Sequence, residues 1–236
     1  MAPSTRAVEL IRGAQAVGRD LLEHEALQLL AEYGFALPRF EVLPHGKRFS
    51  SDYLAGLSYP LVAKAVSPQI VHKTEAGAIC LNIQDEKELR DGIRDMETSI
   101  TERAPQAAIE GWLVRPYLAK GTEIIAGSII DPQFGPTVMV GVGGVLTEVY
   151  RDVTFRLVPL SAVDAEEMIG DVKAQALLDG VRGLPPVSRV KLAELLVRLS
   201  TMVEELPDIL ECDLNPVICR DESVTVADVR VKLKNQ

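Results

Sequence analysis

Apolar residues recur at helical spacing in several segments of the chain, and polar capping residues mark where those helices begin and end. Asp20 stands as an N-cap before LLEHEALQLLAEYG, and Gly34 ends this segment as a stop. Asp85 precedes a second helix, Ser161 opens a capping box for a third, and Ser188 starts a fourth. The apolar stripe of the fourth helix consists of Leu192, Leu195, Leu196, Leu199, Val203 and Leu206.

Short apolar runs bounded by turn residues predict strands between these helices. YPLVAKAV and AGAICLNI flank a polar loop, whereas EGWLVRPYL, GTEIIAGSIID and PTVMVGV follow one another directly, which predicts antiparallel pairing. DILECDLNPVIC and SVTVADVRVKL predict a final hairpin that turns at Arg220 to Ser223. This mixed order favours an α+β domain of two lobes, with a boundary near residue 110, over a doubly wound parallel sheet.

The composition narrows the class of protein. The chain has 236 residues, of which 47% are hydrophobic, and its net charge of -9 argues against nucleic acid or an anionic membrane as partner. Cys212 and Cys219 have neither zinc-site nor redox spacing, so we expect packed thiols in a reducing, cytoplasmic setting. Glu9, Arg12 and Arg19 interrupt the N-terminal segment, so we expect no signal peptide.

The stretch LVAKAVSPQIVHKTEAG concentrates polar chemistry in one short connection. Lys64 offers a positive charge for a phosphate, and Ser67 and Thr74 offer neutral hydrogen bonds. A neutral imidazole is a nucleophile toward phosphorus, and Glu75 is placed to orient that of His72. A solvent-facing or capping loop histidine is the alternative interpretation, and it holds for most single histidines.

Oxygen ligands are grouped in the predicted final hairpin. Glu211, Asp213 and Asn215 are two apart along one strand and so share a face, and Asp228 stands in the partner strand. A few such ligands without a complete protein cage suit Mg²⁺, which keeps water and substrate phosphates in its shell. The alternative is that these residues only terminate the strand before Pro216.

Glycines cluster in GVGGV, Gly141 to Val145, after a predicted strand. The run LTEVY that follows is strand-like, which excludes a dinucleotide fingerprint, and the chain has no GxxxxGK[ST] loop. Backbone amides of this cluster can still approach an anion, and a simple turn or bulge is the alternative. Arg156, in VTFRLVPL, either reaches an anionic site or forms a salt bridge on its strand face.

Three segments together resemble a known family. VAKAVSPQIVHKTEAGAI, GTEIIAGSIIDPQFGPTVMVGVGGVLTEVYRDVTFRLVPL and ECDLNPVIC with VADVRV are similar to the ATP-grasp (β) subunit of ADP-forming acyl-CoA synthetases, also called acetate–CoA ligases. The likeness runs from about residue 20 onward in the same order. The β subunit of succinyl-CoA synthetase is similar more distantly.

The resemblance implies an ATP-grasp fold, in which two α/β lobes hold the nucleotide between them. The implied bounds are a helical extension at 1–22, a first lobe at 23–109, and a second lobe at 110–236 that ends in the metal-binding hairpin. Ser67 joins the nucleotide-binding candidates.

The resemblance also implies roles for single residues. Lys64 contacts ATP phosphates and His72 is transiently phosphorylated, whereas Asn215 and Asp228 bind Mg²⁺, with Asp213 in the same strand motif. The amides of Gly143 and Gly144, in the segment that begins at Gly141, lie near the phosphates.

The sequence departs from the family beside the adenine. Pro116 stands where the family usually has Glu, which leaves backbone groups of Val114 and Tyr117 as candidates for adenine recognition. Thr122 stands where the family often has Arg, directly before Glu123. Glu123 is included among the nucleotide-binding candidates.

The expected function is phosphoryl transfer between Mg-ATP/ADP and a histidine, on the way to acyl phosphate and acyl-CoA. The family's CoA-binding α subunit, which begins with a Rossmann motif, has no counterpart in these 236 residues, so we expect a hetero-oligomer. Two alternatives remain open: an ATP-grasp carboxylate–amine ligase that needs no histidine, and a regulatory subunit that binds ATP without turnover.

Overall fold

A computed structural model describes residues 3–46, 50–144, 152–181 and 183–234. The helices are α1 (Thr5–Ala16), α2 (Glu23–Glu32), α3 (Glu86–Arg103), α4 (Ala162–Gly170), α5 (Gln175–Leu178) and α6 (Arg189–Glu205), with a 3₁₀ helix at Ser51–Leu54. The strands are β1 (Glu41–Pro44), β2 (Leu61–Val66), β3 (Ile79–Ile83), β4 (Gly111–Pro116), β5 (Thr122–Asp131), β6 (Gly135–Val142), β7 (Val153–Leu157), β8 (Ile209–Arg220), β9 (Ser223–Val226) and β10 (Val229–Leu233). Within the described ranges, every helix is too short or too polar to cross a bilayer.

The chain divides into two compact units, each built on an antiparallel sheet. The four-stranded unit is Pro38–Leu118, and the six-stranded unit combines Met1–Leu37 with Ala119–Gln236. The predicted α+β fold with consecutive antiparallel strands is therefore confirmed.

The four-stranded unit orders its strands β1-β4-β2-β3. The helix α3 packs against β2 and β3 because its apolar positions face the sheet. The core between helix and sheet contains Leu61, Ala63, Ala65, Leu89, Met96, Ile100, Trp112 and Val114.

The six-stranded unit orders its strands β10-β8-β5-β6-β7, and β9 also pairs with β8. The helix α6 packs on β5 and β6, α4 packs on β6 and β7, and α2 packs along β10. We call this side of the sheet the helix-covered face and the other side the opposite face. Strand residues alternate between the two, as the two-residue period requires.

The two units differ in extent from the predicted lobes. The strand β4 belongs to the four-stranded unit because it pairs with both β1 and β2, although a boundary at 110 would separate it from them. The segment 1–22 is part of the six-stranded unit rather than a separate extension: Leu21 forms a bridge with Val231, and Asp20 Oδ1 accepts a hydrogen bond from the amide of Leu233 at 2.9 Å. Asp20 is thus no N-cap, and α2 begins at Glu23.

Candidate functional site

The predicted nucleophile lies on a loop, residues 67–78, that joins β2 to β3 in the four-stranded unit. We call this segment the His72 loop. Its base is fixed because Ile70, 5% exposed, packs into the core and because the amide of Ala78 donates to the carbonyl of Lys73 at 2.7 Å. The ends of the loop are therefore fixed, and its middle is exposed to solvent.

The imidazole of His72 is exposed at the middle of this loop. The His72 carbonyl accepts a hydrogen bond from the amide of Ala76 at 3.1 Å, but the ring itself takes part in no hydrogen bond among the described residues. Glu75 is exposed, and its backbone carbonyl accepts from Arg103 at 3.1 Å. Within the described part of the chain, the structure does not join Glu75 to the imidazole that it was predicted to orient.

The two hydroxyl residues of the loop are placed differently. Ser67 is buried, and its hydroxyl donates to Gln69 Oε1 at 3.2 Å and accepts from the amide of Gln69 at 3.3 Å. The same Gln69 oxygen accepts from the amide of Ala108 at 3.1 Å, so Ser67 helps to shape the loop base. Thr74 is exposed, and its carbonyl accepts from the amide of Gly77 at 3.1 Å.

Lys64 lies on β2 with 2% of its surface exposed. Its neighbours Ala63 and Ala65 pack toward α3, so Lys64 points to the other face of the four-stranded sheet. Arg115, in register with Val62, lies on that same face and is 7% exposed. The sequence does not single out Arg115, because it stands in an apolar run, but the two-residue period of β4 identifies its face.

Asn215 and Asp228 stand opposite each other in the six-stranded unit. The amide of Asn215 donates to the carbonyl of Asp228 at 3.2 Å, and the adjacent pair Leu214 and Val229 is in register. Side chains at directly opposed positions have Cβ atoms about 4.5–5.5 Å apart and share a face. Asp228 lies between β9 and β10 rather than inside one strand, and its Oδ1 accepts a hydrogen bond from the amide of Val229 at 2.9 Å.

The strand β8 sorts its residues cleanly between the two faces. Cys212 and Leu214 are 1% and 0% exposed on the helix-covered face, whereas Glu211, Asp213 and Asn215 retain exposure on the opposite face. The prediction that these three polar residues share a face is confirmed.

Negative charge accumulates around Asp213. Burial raises the pKa of the Asp213 carboxyl, and the charges of Glu211 and Asp228 raise it further, against the opposing effect of Arg230. Lys232 pairs with Glu211 at 3.2 Å. A cation bound at this place would relieve the repulsion that raises the pKa of Asp213.

The donors present fit magnesium. Within the described ranges, no three His, Cys, Asp or Glu side chains are close enough to form a metal site by themselves. The amide oxygen of Asn215 and the carboxylate of Asp228 are hard oxygen ligands, and two such ligands leave positions for water and phosphate oxygens, as Mg²⁺ prefers. These two residues would hold the ion, with Asp213 next to them.

The cysteines behave as packed thiols. Cys80, Cys212 and Cys219 are free, and Cys212 and Cys219 are buried, as expected of packed thiols. Burial raises the pKa of Cys212, and it raises the pKa of Cys219 to about 12. Both are inert thiols in the sheet.

The glycine cluster continues the β5–β6 hairpin. The amide of Gly143 donates to the carbonyl of Glu123 at 2.6 Å, so it is used within the sheet and is not the anion donor that was predicted. A Cβ at Gly141 would lie 2.5 Å from the carbonyl oxygen of Asp152, so only glycine fits there. Gly144 is exposed with a φ of +80°, and Glu123 Oε2 would lie 3.7 Å from a Cβ at this position. Val145 and the predicted strand LTEVY lie outside the described residues.

The predicted adenine contacts are occupied within the four-stranded unit. Val114 is 0% exposed and is in register with both Glu41 and Ala63, so its side chain and backbone belong to the core and the sheet. The amide of Tyr117 donates to the carbonyl of Pro60 at 2.8 Å, while the Tyr117 ring is 38% exposed. Of the two side chains, that of Tyr117 is the accessible one.

Arg156 does not join the other candidates. Its guanidinium pairs with Asp171 at 2.5 Å, and the neighbouring Thr154 donates to the carbonyl of Met168 at 2.8 Å. Both contacts are with α4 or the residue that follows it, so Arg156 points to the helix-covered face, away from Asp213. The salt bridge that was the alternative interpretation of Arg156 is what the structure contains.

Comparison with known proteins identifies the family of this chain. The family described as "ATP-grasp domain" matches residues 13–233. The beta subunit of the ADP-forming acetate–CoA ligase I of Pyrococcus furiosus is 39% identical over 231 residues, which cover 97% of this chain and 98% of that protein.

A solved structure of acetyl-coenzyme A synthetase 1 of Ca. Korarchaeum cryptofilum, in complex with coenzyme A, Ca-AMPCP and HgCl+, is 40% identical with a TM-score of 0.92. The match covers 98% of this chain and 100% of that one. Another structure of the same protein holds coenzyme A and Mg-AMPPCP and has its phosphohistidine segment pointing towards the nucleotide binding site. It is 38% identical with a TM-score of 0.83, and the match covers 97% of this chain and 100% of that one.

Longer relatives contain the same region. The ADP-forming 4-hydroxybutyrate–CoA ligase of Nitrosopumilus maritimus is 37% identical over 216 residues, which are 91% of this chain but 31% of that protein. The region is thus a whole subunit in one relative and about a third of a single chain in another. The chain belongs to the ATP-grasp domain family and, within it, to the group formed by the beta subunits of ADP-forming acetate–CoA ligases.

Proposed function

We propose that this chain is the nucleotide-binding subunit of an ADP-forming acyl-CoA synthetase and that it transfers a phosphoryl group reversibly between Mg-ATP and His72. The observation that carries the proposal is the exposed imidazole of His72 on a loop whose base is anchored by Ile70. A phosphoryl acceptor that receives the group from one ligand and passes it to another must be exposed to both, and the loop that carries it must be anchored.

The transfer step is a displacement at the γ-phosphorus of ATP. A neutral ring nitrogen of His72 attacks the phosphorus, the bond from phosphorus to the β,γ-bridging oxygen breaks, and ADP leaves. The imidazole proton passes to solvent, which the exposed ring allows. The reverse step regenerates ATP from ADP.

Charged residues and the metal balance the charge of the phosphates in this step. Lys64 supplies a compact positive charge for a phosphate, and Arg115 on the same sheet face supplies a second one. Asn215 and Asp228 hold the magnesium ion, which neutralises phosphate charge when bound. Catalysis then rests on placing the reactants and on balancing charge rather than on further covalent chemistry.

The second half of the reaction requires another protein surface. The Pyrococcus furiosus relative is itself called a beta subunit, and about two thirds of the Nitrosopumilus maritimus relative lies outside this region. We propose a CoA-binding partner subunit with a Rossmann motif, which takes the phosphoryl group onward to acyl phosphate and acyl-CoA.

A labelling experiment tests the proposal. The chain, with its partner subunit present to order the site, is incubated with [γ-³²P]ATP and Mg²⁺, and acid-labile, base-stable protein phosphate is measured. We expect label on the wild type and none on His72→Asn. His45→Asn is the matched control, because His45 lies in the same unit but pairs with Glu97 at 3.4 Å.

Three outcomes would contradict the proposal. Label that persists in His72→Asn shows that another residue is the nucleophile. Full activity of His72→Asn with a carboxylate and an amine points to direct formation of an acyl phosphate, and nucleotide binding without label or hydrolysis points to a regulatory role.

A further inference from the structure

The opposite face of the six-stranded sheet is divided between charged and apolar residues. One row of aligned positions crosses the sheet as Lys232, Glu211, Ile129, Thr137 and Leu157. The next row crosses it as Arg230, Asp213, Gly127, Met139 and Phe155. In both rows β10 and β8 carry the charges, while the positions on β5, β6 and β7 carry none.

The uncharged half exposes large side chains. Ile129 is 41% exposed, Phe155 46% and Leu157 53%, and Phe134 in the β5–β6 turn is 67% exposed. We call these four residues the apolar patch. Ile129, Phe155 and Leu157 share the opposite face, and Phe134 lies in the turn between β5 and β6. Several exposed large apolar side chains on one surface are typical of an interaction site, whereas single exposed ones are ordinary.

The strand β7 strengthens this interpretation. It pairs with β6, and within the described residues it is an outer strand of the sheet. Its opposite-face residues are Val153, Phe155 and Leu157, and Arg156 is turned to α4 by its ion pair with Asp171. Outer strands of soluble proteins are usually protected by charge or proline, so an apolar one calls for a covering surface.

We infer that the apolar patch is the docking surface for the CoA-binding partner subunit. The inference rests on the proposed function, which requires such a partner. Two observations favour it as the occupant. Ile129 and Leu157 share a row with Glu211, and Phe155 shares one with Asp213, so a subunit bound to the patch adjoins the strand that carries the proposed magnesium ligand Asn215. Moreover, relatives such as the Nitrosopumilus maritimus ligase join this region to a longer chain.

The composition of the patch suits a permanent partner. Interface centres are enriched in aromatic and aliphatic side chains and depleted of charge, with polar residues at the rim. The charges on β8 and β10 supply such a rim on one side. The partner should therefore present an apolar surface with charges toward Arg230 and Lys232.

A binding experiment with matched variants tests the inference. Phe155→Asp, Leu157→Asp and, at the turn, Phe134→Ser are compared with Val163→Asp and Val190→Asp, whose residues are both 64% exposed but lie on α4 and α6. The affinity of each for the purified CoA-binding subunit of the same organism is measured by titration calorimetry. Light scattering gives the mass of each species, and His72 labelling and Mg-ATP binding are measured separately.

We expect the Asp variants of the patch to weaken partner binding by about 30-fold or more, as for central interface residues, and Phe134→Ser to weaken it less. The Val163 and Val190 controls should bind as the wild type does, and Mg-ATP binding should be unchanged throughout. Patch variants that bind the partner with wild-type affinity would overturn the inference. So would a dimer of the chain alone that Phe155→Asp dissolves while partner affinity stays the same, because a second copy would then be the occupant.

The result also separates this inference from the proposed function. Label on His72 together with unchanged partner affinity in the patch variants overturns the docking surface alone. A wild-type chain that binds no CoA-binding subunit overturns both the docking surface and the two-subunit synthetase.

Discussion

His72 and Asp228 are held by very different supports. His72 sits in the middle of a connection whose side chains are mostly exposed and whose fixed points are Ile70 and a turn closed between Lys73 and Ala78. Asp228 belongs to a hairpin whose other strand, β8, is paired along both edges. His72 is thus carried by an exposed loop, whereas Asp228 is held by a hairpin of the sheet.

The contrast matches what each group is proposed to do. A phosphoryl acceptor must meet two ligands in turn, and segments with few buried contacts open at low cost in free energy. A metal ligand must keep its geometry, which rigid elements provide better than loops. The difference therefore predicts distinct consequences for changes in the two regions.

The largest expected effect comes from replacing Asp228, and it distinguishes magnesium-dependent nucleotide binding from phosphoryl transfer. Asp228→Ala should lower the rate of phosphoenzyme formation by about 100-fold or more, because one of two protein ligands of Mg²⁺ is lost. Nucleotide affinity should also lose its dependence on magnesium, measured by titration calorimetry. His72→Asn should abolish transfer and keep that dependence. The exposed Asp208→Ala is the control, and magnesium-dependent binding that survives in Asp228→Ala would refute the ligand assignment.

A smaller effect tests the anchor of the His72 loop. Ile70→Ala should lower the free energy of unfolding by about 2–4 kcal/mol, since it empties a buried site. The adjacent Val71 is 47% exposed, so Val71→Ala should change it by less than about 0.5 kcal/mol. Denaturant titration measures both. Equal values for the two variants would show that the loop has no fixed base.

The next effect concerns the turn that closes the loop. Gly77 has a φ of +65°, and a Cβ there would lie 2.8 Å from Ser99 Cβ on α3, so Gly77→Ala should cost about 1–3 kcal/mol. Gly18 has a φ of +67° with no atom within 4 Å of its Cβ position. Gly18→Ala should therefore cost less in the same denaturant titration. If the two costs are equal, the contact with α3 contributes nothing.

The smallest effect belongs to the hairpin. Because the pKa of Asp213 is raised in the folded chain, its ionised form disfavours folding, and Asp213→Asn should raise Tm in magnesium-free buffer at pH 7. The rise should be about 2 °C or less, and it should vanish below about pH 3, where the carboxyl is largely protonated in both states. Glu75→Gln on the exposed loop is the comparison and should leave Tm unchanged. A lower Tm for Asp213→Asn at pH 7 would contradict the electrostatic argument.

Local patterns predicted the elements well. Asp85 Oδ1 accepts from the amide of Glu88 at 2.8 Å at the start of α3, and Ser161 with Asp164 forms the predicted capping box of α4. Gly34 ends the α2 segment with a φ of +71°. Such features depend on neighbours in sequence, so the sequence contains what is needed to find them.

Features that depend on distant neighbours could not be read in this way. In VTFRL the apolar residues would be expected to face the helices, yet Arg156 faces them because Asp171 lies there to pair with it. The density of glycines predicted a close approach at Gly143, but the approaching group is the carbonyl of Glu123. The register that sets Asn215 against Asp228 likewise follows from how the hairpin is completed around Pro216.

The bond between Asp20 and Leu233 joins positions 213 residues apart, and it has a consequence for how the chain reaches its native state. The four-stranded unit is continuous in sequence, so it can form while the ribosome is still adding residues. The six-stranded unit cannot be completed until β10 has been synthesised, because β10 packs against α2 near the start of the chain. Contacts between residues so far apart in sequence slow folding. During synthesis, the unit that contains the His72 loop can therefore fold before the hairpin with Asn215 and Asp228 has formed.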